Sequence, residues 1–91
     1  MSRLGGPMIW HDRHGRRADE LARVRLAAPA AGDVVVSPRH REEVIVPAGT
    51  LGTALYVNED LQLVGVEFDS EGSPFGNVAW TDAEIVTDED A

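Results

Sequence analysis

From Gly32 onward the chain is a series of short apolar segments separated by turn residues. Val34 to Val36, Val44 to Val46, Leu51 to Val57, Leu61 to Phe68, Asn77 to Thr81 and Ile85 to Val86 are rich in β-branched or aromatic residues, which predicts five or six short strands. Val64, Val66 and Phe68 alternate with Gly65, Glu67 and Asp69, the period of two that turns one face to a core and the other to water. Pro47-Ala48-Gly49, Asn58-Glu59-Asp60 and the longer Ser70-Glu71-Gly72-Ser73-Pro74 supply the turns between them. Strands this short and this close in sequence are expected to wrap into a small, partly open barrel over residues 32–87, which also limits exposed edges.

Upstream the pattern changes. Between Asp12 and Ala28 the apolar residues Leu21, Val24 and Ala28 recur at spacings of three and four among good helix formers, which predicts a short amphipathic helix. Gly15 marks its start, and the run Pro29 to Gly32 ends it. A helix of this length is marginal alone, so residues 1–31 read as an arm that lies on the barrel or on a partner. Ser2 to Pro7 read as a loose leader with Met8 as an alternative start, and Asp88 to Ala91 as a solvated acidic tail. The expected fold class is therefore mainly β: a small barrel of about five strands preceded by a short N-terminal helix or arm.

At 91 residues the chain makes one domain. A domain of this size buries roughly 60–65% of its unfolded surface, so its core closes efficiently or is completed by a partner. The absence of cysteine excludes disulfides, thiolate metal sites and cysteine nucleophiles. The absence of lysine excludes the usual phosphate-binding P-loop. No apolar run approaches the roughly 20 residues of a membrane-spanning helix, and the expectation is a soluble, cytoplasmic protein without membrane contact.

Charge is divided along the chain. All eight basic residues are arginines, and all of them lie before residue 42 together with the three histidines; against four acids they give that part +4. Residues 42–91 hold twelve acids and no base, a charge of −12. An arginine-bearing arm and an acidic body either attract each other, so that the arm folds back, or bind different surfaces.

The succession GDVVV, VPAGTLGTALYV, LVGVEFD and GNVAWTDAEIV resembles the SH3-like small barrels over about residues 32 to 86. A GxxGxxxxV rhythm, a hairpin ending in VEFD, a loop, and a closing strand with an acid-rich single turn at Asp82-Ala83-Glu84 carry the resemblance. GTALYV with VGVEFD is similar to the core of the CAP-Gly domains, although Gly72-Ser73-Pro74-Phe75-Gly76 stands where their ligand loop has GKNDG. VEFD, GN and the DAEIV ending are similar to small barrel subunits of photosynthetic and electron-transfer assemblies. The resemblance implies a fold whose members mostly bind proteins, nucleic acids or larger subunits and rarely catalyse.

Several residues invite a chemical reading. His11, Asp12 and His14 have a spacing that a metal site can use, but His40 is the only other histidine, and a solvated polar segment is the plainer reading. Arg13, Arg16, Arg17, Arg23 and Arg25 can follow a phosphate backbone with Trp10 available for stacking. Asp12, Asp19 and Glu20 interrupt them, and helical pairing of Asp19 and Glu20 with Arg23 is the plainer explanation. Gly49-Thr50-Leu51-Gly52 satisfies GxxG, yet reads as a turn. The acid pairs Asp69 with Glu71 and Asp82 with Glu84 read as solvated loop residues without partners that shift their protonation. Tyr56 and Trp80 fall on predicted strands as core candidates. Phe75 follows a proline in a loop, where it serves either as an exposed contact anchor or as a core plug.

The functional expectation is a non-catalytic accessory, adaptor or structural subunit of a larger protein assembly or homo-oligomer, with no cofactor and no metal. Its partner-binding residues would be Trp10, Arg13, Arg16, Arg17, Leu21, Val24, Arg25 and Phe75. The alternatives are a nucleic-acid-associated module using the arginine arm, and an acidic nucleic-acid-mimicking inhibitor.

Overall fold

The computed structural model describes residues 9–19 and 21–87; the leader and the acidic tail lie outside the described residues. The chain is mainly β. Two very short strands, β1 (Trp10–His11) and β2 (Arg17–Ala18), pair with each other around a tight loop. Then follow β3 (Arg23–Leu26), β4 (Ala30–Ser37), β5 (His40–Val46), β6 (Leu51–Asn58), β7 (Leu63–Phe68), β8 (Phe75–Ala79), a single 3-10 turn (Trp80–Asp82) and β9 (Ala83–Ile85). These seven strands form one sheet in the order β5-β4-β8-β7-β6-β3-β9, antiparallel at every pairing.

The six segments expected downstream of Gly32 are β4 to β9, and the expected turns join them. Two expectations are corrected. The sheet has seven strands and stays open, with β5 and β9 as its unpaired edges, so it does not close into a barrel. The helix over Asp12 to Ala28 does not form. Ala22, Val24 and Leu26 also alternate with Arg23 and Arg25, and this strand pattern wins because β3 fits between β6 and β9, with Val24 opposite both Gly52 and Ile85. Leu21 precedes it at φ +70°, a left-handed conformation that a right-handed helix does not contain. A boundary at residue 32 falls within β4, and β3 lies inside the sheet.

The sheet curls around a single core. Val24, Leu26, Val46, Ala54, Val57, Val64, Val66, Phe68, Val78 and Ala83 meet there, and Trp10 is enclosed with them. Asp12 ties the β1–β2 hairpin to the open edge of β9. One carboxylate oxygen accepts from the His14 and Arg16 amides, and the other from Arg16 Nε and the Ile85 amide, all at 2.9–3.1 Å. Arg13 N–H donates to the Ala83 carbonyl and Arg16 Nη2 to the Ile85 carbonyl. The backbone groups that β9 turns outward are thereby satisfied, a common way of protecting a sheet edge.

Candidate functional site

The outer face of the sheet can be built from its register. Val64, Val66 and Phe68 point into the core, so their neighbours Gly65 and Glu67 lie on the outer face. Pairing then sets Glu43 opposite Asp33, Asp33 opposite Phe75, Phe75 opposite Glu67, Glu67 opposite Thr53 and Thr53 opposite Arg23. This is one lateral row across six strands. Side chains directly opposite in such rows have Cβ atoms about 4.5–5.5 Å apart.

Phe75 stands in the middle of the row, half-buried as the first residue of β8. Its ring lies against Tyr56, with centroids 5.8 Å apart and planes at 38°, and the Tyr56 hydroxyl donates to Asn77 Oδ1. Both rings cover Gly65: a Cβ there would lie 2.5 Å from a Tyr56 ring carbon and 2.9 Å from Phe75 Cζ. The missing side chain at residue 65 is what lets the two rings come this close to the strand. Beside Phe75, where β4 and β8 meet at one paired position, opens a groove of about 400 Å³ lined by Ala31, Asp33, Arg41, Glu43, Phe75 and Asn77 among others.

The acids of the outer face fall into two groups. Asp69 is held by Arg23, and Glu84 is bonded to both His14 and Arg25. The hydrogen bond from Arg23 holds the Asp69 carboxyl below its usual range, and those from His14 and Arg25 do the same for Glu84. Both are ionised at neutral pH, the reverse of what a general acid needs; their expected lack of partners is corrected. Among the described residues, Asp33, Glu43 and Glu67 have no cation within ion-pair distance.

The residues singled out from sequence are dispersed. Trp10 is fully buried, its Nε1 donating to the Asp19 carbonyl, and Val24 is 1% exposed; neither offers a contact face, because both complete the core. Leu21 is 70% exposed and shares no face with Val24. Arg16 is bound to Asp12, Arg23 to Asp69 rather than to Asp19, and Arg25 to Glu84; Glu20 lies outside the described residues. The arginines of the first part thus fold back on acids of the second at Arg23 and Arg25. Arg13 and Arg17 are exposed. Of the histidines, His14 contacts Glu84 and His40 contacts Glu42, and no group of three metal-ligating side chains occurs among the described residues. Trp80 is half-buried beside Trp10, and Tyr56 is 41% exposed on the outer face rather than in the core. Phe75 is neither a core plug nor a free loop residue.

Asp33, Arg41, Glu43, Glu67 and Asn77 were not legible as a site, because what unites them is pairing between strands distant in sequence. Fold and groove together define a small, mainly β domain with an aromatic-centred, acid-flanked open face. Comparison with family models, with curated proteins and with solved structures finds no match to this chain. No helix among the described residues is long and apolar enough to cross a membrane.

Proposed function

We propose that the chain is a non-catalytic binding module, an accessory or adaptor subunit of a larger protein assembly, and that it engages its partner through the outer face around Phe75. The observation that carries this reading is the Tyr56–Phe75 pair laid over Gly65 beside an open groove. Exposed Val35, Val36 and Ile45 on the adjoining β4–β5 hairpin, at 65%, 55% and 68%, add apolar surface that the fold itself does not use. Aromatic anchors with apolar neighbours and a polar surround are the usual composition of a contact centre.

A relation to the SH3-like small barrels is part of the proposal. It is supported by the order of β4 to β9 and by the single 3-10 turn immediately before the last strand. A cytoplasmic location belongs to the same reading. Protein is favoured over nucleic acid as partner because Arg16, Arg23 and Arg25, three of the five arginines expected to follow a phosphate backbone, are occupied by carboxylates.

A photo-crosslinking amino acid placed at residue 45 and, separately, at the equally exposed residue 61 in the remote β6–β7 turn tests this. The expected result in the native cell is a discrete protein adduct from position 45 that is absent from position 61. Adducts to nucleic acid, or identical adducts from both positions, would overturn the reading.

A further inference from the structure

We infer that the groove beside Phe75 receives an arginine or lysine side chain carried on an extended basic segment of a partner protein, the cation lying over the Phe75 ring between Asp33 and Glu67. The inference rests on the binding-module reading and specifies the chemistry of its partner.

The register places Phe75 directly between Asp33 on β4 and Glu67 on β7, with Glu43 next to Asp33 on β5. Three carboxylates elsewhere in the fold, Asp12, Asp69 and Glu84, are paired with arginines. Around Phe75 two acids, Asp33 and Glu43, line the groove with one arginine, Arg41, and a third, Glu67, flanks the ring from β7. Asp33 and Glu43 are direct cross-strand neighbours, an arrangement that destabilises a sheet and that a bound cation would relieve. A cation over an aromatic face gains from the ring quadrupole, and flanking carboxylates add charge-assisted hydrogen bonds.

The shape selects a side chain on an extended segment. The groove is open and spans β5, β4 and β8, with room for one or two side chains of a segment laid on the sheet. A bare metal ion is disfavoured because the acids stand in line rather than converging on one point. An acidic or phosphate-bearing ligand would meet the same carboxylates as repulsion.

The test titrates the nitrogen-15-labelled full chain with an acetylated hexa-arginine amide, and in parallel with a hexa-glutamine peptide, following amide shifts. Saturable shifts centred on Asp33, Glu43, Glu67, Phe75 and Asn77 with hexa-arginine alone are expected. Affinity should fall about tenfold or more in the Asp33→Asn/Glu67→Gln double variant and in Phe75→Leu, which keeps apolar bulk but removes the ring face. Asp60→Asn/Glu71→Gln, an equal charge change at two exposed turn positions, should leave affinity within about twofold. The double variant removes a like-charge contact and should melt no lower than the wild type, so that weaker binding is not mistaken for unfolding. Weakening of the same size in Asp60→Asn/Glu71→Gln would overturn the inference in favour of attraction by net charge, and so would the absence of saturable shifts. If a protein adduct still forms from position 45 in that event, the binding-module reading stands and only the basic partner is lost.

Discussion

Replacing Gly76 by alanine is expected to separate the β4–β5 hairpin from the rest of the sheet. The two parts meet at the β4–β8 seam, where the only paired position is Asp33 with Phe75. Gly76 follows Phe75, and a Cβ there would overlap the Ala31 carbonyl oxygen while lying 3.2 Å from the carbonyl carbon and 3.3 Å from Gly32 Cα. All three are backbone atoms and cannot rotate aside as a side chain can. Forced overpacking of this kind costs about 3 kcal/mol, at the upper end of its usual range. For a domain of this length that corresponds to a fall in melting temperature of roughly 12–24 °C. Hydrogen exchange should accelerate first in β4 and β5, and hexa-arginine binding should disappear because the seam forms the groove. A melting temperature within about 2 °C of the wild type would show that the seam is looser than described. Gly65→Ala is the milder comparison, since its clash is with the rings of Tyr56 and Phe75, which can turn away.

The second large effect is expected at Asp12. Asp12→Ala leaves the amides of His14, Arg16 and Ile85 without their acceptor and the Arg16 guanidinium without its carboxylate. Breaking a buried charge-assisted set of this kind costs about 2–4 kcal/mol. Asp12→Asn should recover little, because its amide nitrogen must face a donor in either orientation.

The loss should depend on pH in a defined direction. Burial by itself raises the Asp12 pKa, but the hydrogen bonds from Ile85, Arg16 and His14 together with the Arg16 charge outweigh it, and the net shift is below 3.8. A depressed folded-state pKa contributes stability that is complete above the unfolded value and is lost as pH falls through the folded value. Urea unfolding should therefore separate wild type from Asp12→Asn widely at neutral pH, and the gap should narrow below about pH 3.8. A gap that stays constant into strong acid would mean that the carboxylate charge is not what holds the hairpin to β9. Asp69 and Glu84 titrate in the same direction, but as exposed pairs they add little.

Much of the fold was legible in the chain because alternation and turn chemistry are local. The period of two in Val64, Val66 and Phe68 and the glycine and proline clusters at Pro47 to Gly49 and Ser70 to Pro74 mark β7 and its neighbours without reference to any other segment. The charge division was equally plain, although which acid each arginine meets was not. In residues 12–28 two patterns coexist, and helix formers set the more conspicuous one although the strand forms.

What the sequence determined by itself is therefore a mainly β chain with five or six strands downstream of Gly32, the turns that join β5 to β8 and the inward face of β7, since side-chain alternation along a strand is dictated by backbone geometry. Only the tertiary structure decided that Arg23–Leu26 is a strand, because a weak local helix preference yielded to pairing with β6 on one side and β9 on the other. Only the tertiary structure, too, set Phe75 between Asp33 and Glu67 and turned Asp12 from a candidate ligand into the clasp of an edge strand. Register between strands some thirty or more residues apart in sequence follows from how the whole sheet closes over its core, and no local pattern encodes it.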